Sequence, residues 1–392
     1  MIIKEVSARK IKDSRGDETI EVSVNGSRAS SPSGKSRGKY ETPSYRENID
    51  WNIAFLNSWN EADGKKLGEI NSFYDLEKVE EDIKKSLKIN DVKKFGANAI
   101  FAFESAILKA LVKEQRKELW QIINPKARKL PFPAGNAVGG GLHSSNKGKP
   151  SFQEFLVIPR TASFSKNYDI MKDFYKKIGR KFKSKKTNDE GAWEVSADEE
   201  SILKEFDSLR NELEKKLGEN IGIGVDAATS TFFKSNSYYY KDKSLDKSKQ
   251  IKFASGLIKK YKILYFEDPL NEDDFTGFYN LKKEAGGCLI VGDDLTATSL
   301  DRLKRALEID SVNAVIVKPN QNGSLLEMKK IFEFCKLKGI KTIMSHRSGE
   351  TMDDALADYT FGFQADFIKC GIAGKEREVK LKRLGEIEES LR

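Results

Sequence analysis

Asp226, Glu267, Asp293, Lys318, His346 and Lys369 follow one another through the second half of the chain, the last five at intervals of 26, 25, 28 and 23 residues. Each closes a short apolar run: IGIGVD (221–226), ILYFED (263–268), CLIVGDD (288–294), AVIVKPN (314–320), KTIMSHR (341–347) and ADFIKCG (365–371). Three carboxylates are all-oxygen ligands suited to a hard cation such as magnesium. Two lysines beside such a cation repel it and each other. That repulsion predicts a lowered lysine pKa, so that one ammonium can become a base while the other clamps an anion. The chain has only two histidines. His346 ends one of these runs, and His143 follows the glycine turn GGG (139–141).

Any one of these charges could be a helix cap or a solvated side chain. Six at the ends of six regular runs require a common frame. A spacing near 25 residues fits one strand, one helix and two loops, which implies βα units and a parallel sheet. Between the runs lie helical patterns such as GSLLEMKKIFEFCKLKG, where Leu325, Met328, Ile331 and Phe332 share a face. A buried parallel strand is apolar on both faces, so a charge at its last residue must emerge into something polar. In a (β/α)₈ barrel the strand C-termini open into one mouth. The predicted fold is α/β: such a barrel over 131–392, preceded by a small α+β capping domain over 1–124. The division falls near NPKARKLPFP (124–133), where three prolines stop a helix and begin extended chain.

A chain of 392 residues with 38% hydrophobic content can hold that core. The formal charge of +9, from 69 basic and 60 acidic residues, permits anionic partners. The basic residues are spread along the chain, and the densest run, KKIGRKFKSKK (176–186), reads as a solvated helix end. Nucleic-acid binding is therefore not expected as the main function. Cys288, Cys335 and Cys370 lack metal-ligand spacing and read as reduced thiols. No apolar run approaches 18 residues, and MIIKEVSARK is charged too early for a signal peptide, so neither a membrane nor secretion is expected.

In the first half, residues 2–12 and 18–25 alternate as strands around KDSRGDE. The stretch RASSPSGKSRGKYE (28–41) is small and polar and reads as an unpacked loop. Helical patterns cover 75–88, 97–119, 165–183 and 197–217. The run SFQEFLVIP (151–159) reads as a strand carrying Gln153 and Glu154, Glu190 falls in the polar loop TNDEGAW (187–193), and FFKSNSYYYKDKS (232–244) reads as an exposed excursion.

Taken together, KDSRG, SPSGKSRGKYE, FGANAI, FPAGNAVGGGLH, FQEFLVIP, FEDPLNEDD, VGDDLTAT, VKPNQNGSL, SHRSGET and IKCGIAGKERE resemble enolase (phosphopyruvate hydratase), the archaeal branch most closely, over nearly the whole chain. The resemblance implies an α+β cap on a barrel that begins with two atypical strands. It implies a lyase of glycolysis and gluconeogenesis, the reversible dehydration of 2-phosphoglycerate to phosphoenolpyruvate through a magnesium-stabilised enediolate. It implies two Mg2+ ions per active site, a homodimer or octamer, and a cytoplasmic location. By the same resemblance Asp226, Glu267 and Asp293 hold the first magnesium and Ser36 the second. Lys318 removes the C2 proton. Glu190, with Glu154 beside it, helps hydroxide leave, and His346 and Lys369 complete the catalytic group. His143, Gln153 and His346 line the substrate, Arg347 and Ser348 grip its phosphate, and Lys369 meets its carboxylate. A superfamily paralogue acting on another carboxylate, or a scaffold with little catalysis, would keep the fold without this reaction.

Three stretches depart from the family. NDEGAW stands for GDEGGF, SGKSR for SGAST, and IKCG for IKTG. Trp193 is large enough to exclude water from the Glu190 carboxyl, which would raise its pKa as an acid requires. Lys35 and Arg37 add positive charge on either side of Ser36, aimed at a substrate phosphate.

Overall fold

The computed structural model describes residues 1–35 and 38–391, so Ser36, assigned above to a second metal, and Arg37 lie outside the described residues. Strands β1 (Val6–Lys12), β2 (Glu18–Val24) and β3 (Ser27–Ser30) form an antiparallel sheet. Helices α1 (Ile49–Asn57), α2 (Glu61–Leu67), α3 (Leu76–Leu87), α4 (Ala97–Gln115) and α5 (Leu119–Ile123) follow. Helix α4 lies on β2 and β3 and is buried nearly all round. The predicted 97–119 helix is broken at Arg116, whose φ of 54° closes α4 in the left-handed region.

The barrel strands are β4 (Phe132–Gly139), β5 (Glu154–Pro159), β7 (Ile221–Asp226), β11 (Tyr265–Glu267), β12 (Leu289–Gly292), β13 (Ala314–Val317), β14 (Lys341–Ser345) and β15 (Phe367–Gly371). They pair in that order, and β15 pairs with β4 to close the ring. Strand β5 runs antiparallel to both neighbours, β4 and β7. Its reversal puts the strand's first residue, Glu154, opposite Asp226, at the end where the parallel strands finish. A two-residue strand, β6 (Trp193–Glu194), adds to β4. Inside the ring, Leu156, Ile158, Tyr265, Val291, Ile316, Ile343 and Phe367 form a closed core. The six strand ends carry their charges to one mouth, as the spacing predicts.

The remaining helices are α6 (Phe164–Lys181), α7 (Glu199–Leu217), α8 (Lys247–Tyr261), α9 (Phe275–Glu284), α10 (Leu300–Glu308), α11 (Pro319–Asn322), α12 (Leu325–Lys338), α13 (Ala355–Gly362) and α14 (Lys375–Ser390); α11 and α13 are buried all round, and α11, α13 and α14 lack a side-chain N-cap. Helix α7 shows how the local sequence sets its limits. Asp198 accepts from Ser201 N at 2.7 Å, Glu199 and Glu200 occupy the first turn, Lys215 and Lys216 the last, and Gly218 turns left-handed beyond it.

Two sequence expectations are amended here. The excursion expected over 232–244 is mostly exposed but not irregular: β8 (Phe233–Lys234), β9 (Ser237–Tyr239) and β10 (Ser244–Asp246) form a small antiparallel sheet, and Tyr238 and Tyr240 are buried. Alternate aromatics and a turn at Ser235–Asn236 with φ of 47° and 59° are the local signal. Nor is the start of the 28–41 stretch unpacked. Ser30, Ser31 and Ser33 are buried, and Ser33 forms a backbone bridge to Gly349 at the barrel mouth. Small residues are needed there because a Cβ on Gly349 would lie 1.9 Å from Asp13 Oδ2. Among the described residues no helix is long and apolar enough to cross a membrane. The three cysteines are unbridged and buried, and burial pushes the Cys335 and Cys370 thiols up to about 12.

Candidate active site

Strands β7, β11, β13 and β15 deliver the innermost charges of the mouth. Lys369 Nζ, fully buried, donates to Asp226 Oδ2 at 2.7 Å and to both oxygens of Glu267 at 2.9 Å, and it lies 3.3 Å from Glu154 Oε1. Lys318 Nζ is bonded to Asp293 Oδ2. The carboxylate trio and both lysines thus share one polar centre. Three buried carboxylates from adjacent strands suit a hard divalent cation by chemistry, but among the described residues the groups whose ligand atoms lie within 4.8 Å of one another are Asp268, Asp293 and Asp294, and Glu154, Glu190 and His346, not the trio.

The expected lowering of a lysine pKa is not seen here. Burial works against both ammoniums, but Asp293 holds Lys318 above its ordinary value, and Asp226, Glu154 and Glu267 hold Lys369 well above. The sequence argument weighed lysine against cation and underweighted the carboxylates that each lysine touches. Glu267 itself is raised well above the usual carboxylate range by burial and by Asp226, and Tyr265 donates to it at 2.5 Å.

Opposite this centre stand Glu154, Glu190, His143 and His346, all buried. Burial, together with the carboxylates of Glu190 and Asp226, pushes Glu154 up to about 8. Glu190 goes the other way. Burial would raise it, but the charges of His143, Arg377 and Lys369 outweigh burial and hold it below the usual range. Asn136 Nδ2 donates to Glu190 Oε2 at 3.1 Å. The two carboxyls are thus driven apart, Glu154 toward its protonated form and Glu190 toward its ionised form. This corrects the expectation of a raised Glu190. Trp193 does not shield Glu190 either: its indole stacks on Tyr175 at 4.9 Å and donates to Tyr175 O, against α6 on the barrel's outer side. Pairing of Trp193 with Val138 sets that direction.

His143 Nδ1 lies 3.0 Å from Asp189 Oδ1 and its Nε2 lies 3.8 Å from Glu190 Oε1. Burial opposes the imidazolium, yet Glu190, Asp189 and Glu154 raise it to about 9. A group whose pKa rises on folding stabilises the fold fully below its unfolded pKa, and that contribution fades as pH climbs through the folded value. Unfolding free energy should therefore decline between pH 6.5 and about 9. In denaturant titrations across that window, His143→Gln should flatten the decline; an equal slope in the variant would contradict the assignment. His346, by contrast, is kept neutral by burial and by Arg377, Lys369 and Lys318, and its Nδ1 is buried without a partner.

Arg347 and Ser348 are engaged rather than free. Arg347 makes two bonds to Glu41, at 3.2 and 2.9 Å, and one to Asn320. Gly34 has no Cβ because one would lie 2.0 Å from the guanidinium. Ser348 Oγ accepts from Arg15 Nη1 at 2.9 Å and from Lys35 N at 2.8 Å. Gln153 is fixed by its backbone, bonded to Asp226 O and Gly140 N. The predicted site residues that lie among the described ones come together at this mouth. A cavity of about 30 Å³ is lined by Gln153, Glu154, Glu190, Lys318, Arg347 and Lys369 among others. That volume suits a water or two, so an organic phosphate must displace the ion pairs that now fill the mouth.

Sequence reasoning gave no role to Glu41, Asn136, Asp189, Tyr265, Asp268 or Arg377, although each falls inside or beside a motif quoted above. Asp268, with φ of 39°, accepts from the backbone N–H groups of Asp293 and Asp294 at 3.0 and 2.7 Å and so aims the GDD turn. Arg377 Nη2 holds Ser348 O at 2.8 Å. A Cβ on Gly371 would collide with Arg377 and with Glu190 O, which accounts for glycine at the end of β15.

Fold and site together define a capped (β/α)₈ barrel whose mouth combines a carboxylate trio with two lysines and a carboxyl–imidazole cluster. The family model "Enolase, C-terminal TIM barrel domain" matches residues 127–392, and "Enolase, N-terminal domain" matches 3–123. Proteins named enolase from Archaeoglobus fulgidus and Thermoplasma acidophilum are 34% and 33% identical, each over 99% of this chain and 98% of their own. Another, from Picrophilus torridus, is 34% identical over 99% of both chains. The chain belongs to the enolase family.

Proposed function

We propose that the protein catalyses the reversible dehydration of 2-phosphoglycerate to phosphoenolpyruvate in the cytoplasm, as a hydro-lyase of glycolysis and gluconeogenesis. The cap is residues 1–124 and the catalytic barrel 131–392, and the active assembly is a homodimer or octamer. The observation that carries this reading is that one mouth brings a carboxylate trio paired with two lysines next to two buried carboxyls, Glu154 and Glu190, grouped with His346. Removing a proton next to a carboxylate needs a base and concentrated positive charge, and expelling hydroxide needs an acid.

Asp226, Glu267 and Asp293 would hold magnesium, with Ser36 as ligand to a second ion. When bound, the metal would supply positive charge that offsets the carboxylates now paired with the two lysines and the second negative charge that builds on the substrate as C2 loses its proton. Released from Asp293, Lys318 Nζ can lose its proton and accept the one from C2. Lys369 Nζ, released from Asp226 and Glu267, meets the substrate carboxylate. Arg347 exchanges Glu41 for the phosphate, an equivalent bidentate partner, and Ser348 and Gln153 position the remainder. A proton held at Glu154 goes to the departing hydroxide, and neutral His346 and charged His143 bound the site. The phosphate exchange at Arg347 favours this substrate over an unphosphorylated carboxylate.

The test is substrate choice: 2-phosphoglycerate should be converted, and glycerate and 3-phosphoglycerate left unchanged. Comparable turnover of glycerate would favour a superfamily paralogue. Metal removal gives a second test. Excess chelator should abolish activity and magnesium restore it, while Asp293→Ala should stay inactive at magnesium concentrations that saturate the native enzyme. Full activity in chelator would overturn the ligand assignment.

A further inference from the structure

Lys35 stands where the family's loop has alanine, and the expectation was that its charge meets the substrate. The structure sends it elsewhere. Its Nζ donates to Leu142 O at 3.2 Å and to Asp189 Oδ2 at 3.4 Å. Leu142 is the residue before His143, and Asp189 is the carboxylate whose other oxygen meets His143 Nδ1 at 3.0 Å. The ammonium therefore touches the histidine's own turn on one side and its carboxylate partner on the other. Through its backbone N–H the same residue binds Ser348 Oγ at 2.8 Å.

We propose that Lys35 is a positioning residue for His143, acting through Asp189 and the Leu142 carbonyl. The proposal rests on the reaction above only for its kinetic consequence; the positioning itself is a property of the resting protein. The geometry supports it in three ways. Asp189 can orient an imidazole only if it is itself held, and Lys35 is the side chain that bonds its second oxygen. Gly141–His143 is a single turn of 3₁₀ helix with little regularity of its own to fix it. His143 Nε2 in turn lies 3.8 Å from Glu190 Oε1, so a rotation of the ring would change the surroundings of that buried carboxyl. A lysine at 47% side-chain exposure loses little water to reach Asp189, which favours a modest but persistent contact.

The chain's two histidines make the test direct, because isotope-labelled histidine NMR shows only two imidazoles, and His346→Gln assigns them. Lys35→Met should shift and broaden the His143 ring signals and leave those of His346 in place, while Lys35→Arg should return His143 to its native position. In the dehydration assay Lys35→Met should lower kcat by about two- to fivefold, the worth of one partly exposed ion pair. Its KM for 2-phosphoglycerate should change less. Lys35→Met combined with Asp189→Asn should lose less than the two single losses taken together, the remainder being the Leu142 contact. Unchanged His143 signals in Lys35→Met would overturn the proposal, as would fully additive losses in the double variant. Should the protein not dehydrate 2-phosphoglycerate, the NMR comparison still decides the positioning claim, so the two failures are distinguishable.

Discussion

Lys318→Ala is expected to abolish both phosphoenolpyruvate formation and exchange of the C2 proton with deuterated water. A positioned general base contributes about 10²–10⁴-fold, and here the loss falls on the first chemical step. Lys318 follows β13, bonded to Asp293 and close enough to Glu267 to be influenced by its charge. In the variant Asp293 loses its cation while Asp226 and Glu267 keep Lys369. Metal binding should therefore survive, and a magnesium titration monitored by calorimetry separates a lost base from a lost site. Exchange persisting at the native rate would move the base to Lys369, the other lysine in the mouth.

The second large effect concerns the carboxyl pair. Glu154→Gln and Glu190→Gln should each cut product formation by about a hundredfold or more while leaving measurable C2 exchange, since Lys318 and the trio are untouched. The two variants should differ in pH dependence. Glu154 is driven toward its protonated form, raised to about 8 by burial and by Glu190 and Asp226. Removing Glu190 takes away one of those charges, so the residual activity of Glu190→Gln should fall off at lower pH than the native alkaline limit. Near-normal product formation in both variants would show that the leaving hydroxide is protonated from elsewhere.

How far this site was legible depends on whether a residue acts along the chain or across space. Asp226, Glu267, Asp293, Lys318, His346 and Lys369 were readable because a charge closing a doubly buried strand has few places to go, and the ring supplies one. The trio's ion pairs were not readable: Lys369 reaches across the ring to Asp226, 143 positions away in sequence. The same holds for Arg347 and Glu41, separated by 306 positions. The apolar run SFQEFLVIP predicted a strand at 151–159, which in the structure begins at Glu154, but not its reversed direction, because an apolar run is the same read either way. Trp193 shows the limit most plainly. Its size suggested a shield for Glu190, yet a residue three positions along in a strand points to the opposite face, and this one packs on Tyr175. Helix α1, with Trp51 and Phe55 stacked at 5.6 Å and Asn48 as its cap, had readable signals that the N-terminal reading did not use.

The central claim is that this mouth converts 2-phosphoglycerate with the help of a divalent ion held by Asp226, Glu267 and Asp293. The most direct measurement follows phosphoenolpyruvate by its ultraviolet absorbance, with the purified protein in excess chelator and then with magnesium added. The account predicts no absorbance change in chelator and sustained formation of product once magnesium is present. Product formed at the same rate in both, or in neither, would contradict it.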